Sequence, residues 1–192
     1  MQDVQFVEMA NPHSWLLAAD NLHQQAILLY SQRGQSVMHI TDMKSGIIKT
    51  RDGTNKSVFL LGGFALENAI KSFLVYENPQ WISNGKLSKR LRSHSLTKLQ
   101  KESALIPFKN RYLGVLLQFE EGLDSWARYP CSLSSATSMD ERIMRHDLWS
   151  GYLRLMRAYG NRLATLLANE WHGPHGFYGR YTFTGTFLSA NV

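Results

Sequence analysis

Cysteine is almost absent: Cys131 is the single thiol in a chain of 192 residues. One thiol excludes an internal disulfide and any cysteine-built zinc cage, and it suits a reducing compartment. Histidine offers no substitute cluster. The seven histidines are scattered, and the nearest pair, His172 and His175, sits in a Gly-Pro turn with Glu170 as its one nearby acid, so no metal is expected. A glycine-rich phosphate loop is also missing. Gly62-Gly63-Phe64 falls inside a helical pattern, where small residues allow close helix contact, and no cofactor is expected. The N-terminal MQDVQFVEM lacks a basic opening and a long apolar run, so it does not read as a secretory signal. No apolar run is free of charge for long enough to cross a bilayer. The most apolar window, Ser57–Glu77, carries Glu67, Asn68 and Lys71 at its middle. The expectation is a soluble, cytoplasmic protein with no membrane partner, no internal repeat and no low-complexity tract.

Lysine disappears after Lys109; every later cation is arginine. The net charge of +6 is unevenly spread. Residues 1–80 carry six basic and seven acidic groups, and residues 112–192 carry seven of each. Residues 81–111 carry eight basic groups against Glu102 alone, a net +7. The whole excess therefore lies in a short segment that includes Lys86, Lys89, Arg90, Arg92, Lys98 and Lys101. Such a segment can bind phosphates without reading sequence, and Trp81 beside it could stack on a base. Basic runs are also common as plain solvated loops.

Apolar residues make up 44% of the chain, enough for a real core in one domain spanning residues 1–192. Asn11-Pro12 marks a helix start, and Trp15, Ala18, Leu22, Ala26 and Leu29 form a stripe behind it, with His23 alongside. Residues 35–56 lose the helical period; a small hairpin and a structured loop fit equally well. The window Ser57–Glu77 then reads as the central helix, closed by Pro79. Its Glu67 and Lys71 have the favoured order for an ion pair one turn apart. A short helix with Leu96, Leu99 and Ser103 inward starts at Ser93 or Ser95. A fourth helix carries Tyr112, Leu116, Phe119, Leu123 and Trp126 on one stripe, with Glu120, Glu121 and Asp124 facing away. A fifth starts at a capping box, Ser138 to Glu141, and keeps a seam from Met144 to Leu166, about 45 Å long at ~1.5 Å per residue. From residue 171 an aromatic beat through Tyr181, Phe183 and Phe187 suggests an extended arm. The expected fold is all-α: an up-and-down bundle of about five helices over residues 11–170, with an arm at 171–192.

Three short runs in order resemble the HEPN domain (higher eukaryotes and prokaryotes nucleotide-binding): Ala65–Lys71 (ALENAIK), Arg92–Gln100 (RSHSLTKLQ) and Ala127–Pro130 (ARYP). The resemblance implies structural roles for Glu67, Lys71 and His94, with Arg128 as the expected buried partner of Glu67. It also implies a homodimer, contact with RNA or nucleotides, and a partner protein of the toxin–antitoxin kind. Many members cleave RNA without metal, using an arginine and a histidine with four to six residues between them, across a dimer interface. Here the fifth helix offers Arg142 and His146 with three residues between them, and Arg90 and His94 are spaced likewise. The leading expectation is thus a binding or accessory module. The alternatives are a divergent ribonuclease using Arg142 and His146, and a protein-interaction bundle that meets its partner through the arm.

Overall fold

The computed structural model describes residues 2–129, 143–182 and 184–189. Six α-helices run through them: α1 (Gln2–Ala10), α2 (Pro12–Ser31), α3 (Asn55–Glu77), α4 (Leu96–Glu102), α5 (Leu113–Asp124) and α6 (His146–Leu167). Two antiparallel strand pairs complete the described part. β1 (Val37–Thr41) faces β2 (Ile48–Asp52), and β3 (Trp171–His172) faces β4 (Tyr178–Gly179). The chain is mostly α, as the periodicity implies, with one helix more than expected. The extra helix, α1, has only Val7 and Ala10 buried, too few apolar contacts to leave a clear stripe.

α2 starts where the sequence places it. Asn11 Oδ1 accepts from the Ser14 amide at 2.9 Å, and Pro12 fills the first helical position. Its buried face is shifted from the expected one. Leu16, Ala19, His23 and Ala26 point inward, while Trp15, Leu22 and Leu29 flank them half-buried. The small alanines let α2 lie close along α3, the most extensive helix pairing in the fold. The Ser72 hydroxyl donates to the Pro12 carbonyl at 2.7 Å, which sets the late part of α3 beside the start of α2.

α3 is the core of the molecule. Val58, Phe59, Ala65, Leu66, Ala69, Ile70, Phe73, Leu74 and Val75 are fully enclosed. By length and composition it could cross a membrane, yet 78% of its most apolar window is buried inside the domain, as in the core helix of a soluble protein. α5 crosses it at Gly62 and Gly63, where an added Cβ would sit 2.6 Å from the Phe119 ring and 2.7 Å from Leu123. The α5 stripe from Tyr112 to Trp126 is buried throughout. Stacked and tilted rings continue from Tyr30 through Trp149, Tyr152, Phe119 and Phe59 to Trp126 at centroid spacings of 4.0–5.3 Å. Between α2 and α3, residues 37–52 of the ambiguous region form a hairpin with both faces exposed.

α6 begins later than the sequence suggests. The Ser138–Glu141 box lies outside the described residues, Ile143 to Arg145 are not helical, and α6 spans about 33 Å. Its seam of Leu148, Tyr152, Leu155, Tyr159 and Leu163 is buried. The C-terminal arm folds back over α2 and α6. Tyr181 stacks on His13 with centroids 3.7 Å apart and accepts from Asn11 at 2.8 Å, and the Leu188 amide donates to Asp20 at 2.7 Å. A Cβ at Gly160 would collide with the Phe187 carbonyl oxygen. Gly160→Ala is therefore expected to cost about 1–3 kcal/mol and to loosen the arm. Limited trypsin digestion checks this: cleavage after Arg180 should be faster than in the wild type.

Candidate nucleic-acid interface

The basic segment is not a simple loop. Two single 3₁₀ turns, Pro79–Ile82 and Lys89–Arg92, lead into α4. Ile82, Leu91, Leu96 and Leu99 anchor this path in the core, and the polar residues between them face out. The Ser88 side chain caps the second turn by accepting from the Arg90 amide at 3.3 Å, and Ser95 caps α4 by accepting from Lys98 at the same distance. Two carboxylates then clamp α4. Glu120, expected to face away from the core, instead receives the Thr97 amide at 2.7 Å and the Ser95 hydroxyl at 3.0 Å, at the helix N-terminus where negative charge is favoured. Glu77 at the end of α3 accepts from the Ala104 amide at 2.7 Å and from the Ser103 hydroxyl.

This scaffold presents Lys86, Lys89, Arg90, Arg92, Lys98 and Lys101 to solvent. Among the described residues their one carboxylate neighbour within ion-pair range is Glu102, 3.9 Å from Arg90. The Arg90 guanidinium also lies 5.3 Å from the centroid of half-buried Trp81. The ring expected to stack on a base is thus met by an arginine, whose own planar face is open to the same use.

Beneath the segment lies a charged core. Glu67 and Lys71 are 5% and 4% exposed. Lys71 Nζ donates to Glu67 Oε1 at 2.6 Å, and His94 Nδ1 donates to Oε2 at 3.0 Å. Lys71 also sits 5.5 Å from the Trp15 ring centroid. Both carboxylate oxygens are therefore taken, which corrects the expected partner. Arg128 is exposed, its guanidinium 5.9 Å from the Phe64 centroid. It lies near Asp124, whose carboxyl is pushed up by partial burial and by Glu120 and pulled back by Arg128 and His94. His94, from the middle of the basic segment, is the residue that reaches Glu67. It ties the cationic surface to α3 while half of its own side chain stays exposed.

The other candidate pair falls only partly within the described residues. His146 is exposed in the first turn of α6, and Arg142 lies outside the described residues. Sequence reasoning also overlooks Arg33 and His39, which have five residues between them. Arg33 packs on Tyr30 at 3.3 Å and lines a cleft of about 800 Å³ beside the hairpin. His39 bonds Thr50 across the hairpin at 3.1 Å and is not part of that cleft. His175 Nε2 accepts from the Asn84 amide at 3.0 Å, and no group of metal-binding side chains occurs among the described residues. No family model matches the chain, and no curated protein or solved structure is significantly similar to it.

Proposed function

We propose that this protein is a HEPN-like binding module that holds single-stranded RNA on residues 86–101. The observation that carries this reading is a surface of six exposed lysines and arginines with, among the described residues, a single carboxylate in ion-pair range. Flexible lysines track a phosphate backbone without sequence preference, and the Arg90–Trp81 stack supplies a planar surface for one base. The up-and-down arrangement of the HEPN resemblance is supported by the Ser72–Pro12 bond, which joins the late part of α3 to the start of α2.

The test is RNA binding as a function of salt. With all six cations engaged, the slope of log K against log salt should approach about −4 for a single strand. Replacing Lys89 and Arg90 together with glutamate is expected to weaken oligouridylate binding more than tenfold at physiological salt and to flatten the slope by about 1.4. Binding that ignores both salt and these substitutions would leave the protein-interaction reading in its place. Cleavage of the RNA, lost in His146→Ala, would favour the ribonuclease instead.

A further inference from the structure

A groove beside α6 has chemistry of its own. It runs between α6 and the turn entering α5, with a volume of about 500 Å³. Arg154, Arg157 and Arg162 line one wall; Pro107, Phe108 and Tyr112 line the other. The three arginines share one face of α6. Among the described residues none of them has a carboxylate within ion-pair range: the acid of α6, Asp147, lies at its start and pairs with Arg145 at 2.9 Å. Among the described residues the positive charge of the groove is therefore uncompensated.

The opposite wall is unusual. Phe108 is 57% exposed and has φ +55°, a left-handed backbone that a side chain with a β-carbon seldom adopts. Backbone held this way is concentrated at ligand sites. The Phe108 ring meets Tyr112 edge to face, 78° between planes and 6.5 Å between centroids. With Pro107, the two rings form an apolar notch rather than a pair of open parallel faces.

We propose that this groove docks an acidic, extended peptide segment of a partner protein, its carboxylates on Arg154, Arg157 and Arg162 and one apolar side chain in the notch. Guanidinium forks pair with carboxylates through two parallel hydrogen bonds, and arginine with tyrosine dominates the energetics of many protein interfaces. The groove-lining face of α6 reaches from Arg154 to Thr165, about 16 Å along the helix, which matches roughly five residues of extended chain. A nucleic-acid strand is the lesser fit, because the edge-to-face rings leave no matched faces for successive bases. The groove shares none of the six cations of the 86–101 surface, so the proposal stands apart from the RNA reading.

The probe is a fluorescein-labelled peptide alternating glutamate with leucine and phenylalanine, measured by anisotropy against the intact protein at physiological salt. Its glutamine counterpart and oligouridylate serve as comparators. The glutamate peptide should bind, and Arg157→Glu and Phe108→Ala should each weaken it about tenfold or more; both residues are exposed, and circular dichroism confirms that the variants fold. The Lys89/Arg90 double glutamate variant should bind the peptide as the wild type does. The proposal is overturned if the glutamate peptide fails to bind, if the glutamine peptide binds equally well, or if both groove substitutions leave binding unchanged. It is equally overturned if oligouridylate displaces the peptide and itself loses affinity in Arg157→Glu, which would make the groove a nucleic-acid site.

Discussion

Glu67→Ala should lower the stability of the fold by about 3–5 kcal/mol, the usual result of stranding one member of a buried ion pair. The Lys71 ammonium would remain where only 4% of the residue is exposed, having lost its 2.6 Å partner. His94 would lose its anchor on α3 at the same time. In a domain of this size such a loss corresponds to a fall in melting temperature of about 6–20 °C. The pairwise character of the effect can be separated from the loss of packing. Glu67→Leu combined with Lys71→Met removes both charges and keeps volume in the core, and it is expected to be much less destabilising than Glu67→Ala. Urea unfolding of the two variants and the wild type decides the matter. A Glu67→Ala protein that unfolds at the wild-type urea concentration would show that the pair does not hold α3 in place. If the double variant were as unstable as the single one, packing rather than charge would be the cause.

The same cluster marks the limit of what the sequence discloses. The pairing of Glu67 with Lys71 is a local matter of one helical turn, and spacing alone identifies it. The second partner is a matter of tertiary placement. Arg128 has the better hydrogen-bonding geometry in principle, yet His94 takes the position because the caps at Ser88 and Ser95 and the clamp by Glu120 bring that turn over α3. No pattern along the chain encodes the clamp, since Glu120 looks like a solvent-facing acid on its own helix. The α5 stripe was legible because large apolar residues at helical spacing faced one way. The buried face of α2 lies one position from the apolar stripe because its contact with α3 uses small side chains, while the bulky ones lie at the margins. The hairpin stayed ambiguous for a related reason: neither of its faces is buried, so no alternation of polar and apolar residues is required. The basic surface was visible from charge alone, but the arginine groove needs the turn at Phe108 to face α6, and only the fold supplies that.

That one-position shift on α2 places His23 at the centre of the core, where it should make stability depend on pH. The residue is fully buried, and its Nδ1 lies 2.8 Å from the Tyr152 hydroxyl. Among the described residues Nε2 has no partner. Burial lowers the imidazole pKa to about 4, against a smaller upward pull from Asp20. Burial also drives the Tyr152 phenol well above its usual value, so a neutral hydroxyl and a neutral imidazole share this hydrogen bond. The direction of the linkage follows. Between the unfolded value of 6.5 and the folded value of about 4, the unfolded chain binds a proton that the folded protein refuses. Stability from this residue is therefore complete above pH 6.5 and falls as pH drops toward 4, by about 3 kcal/mol in total. Carboxylates titrate at the lower end of the same range, so the comparison must be made against a variant. His23→Asn keeps an acceptor for the Tyr152 hydroxyl and removes the titrating ring; the cavity it leaves should lower stability by the same amount at every pH. Urea unfolding from pH 7.5 down to 4.5 is expected to show the wild type losing most of that 3 kcal/mol relative to His23→Asn. Two parallel curves would mean that His23 is protonated in the folded state and that the core accommodates its charge.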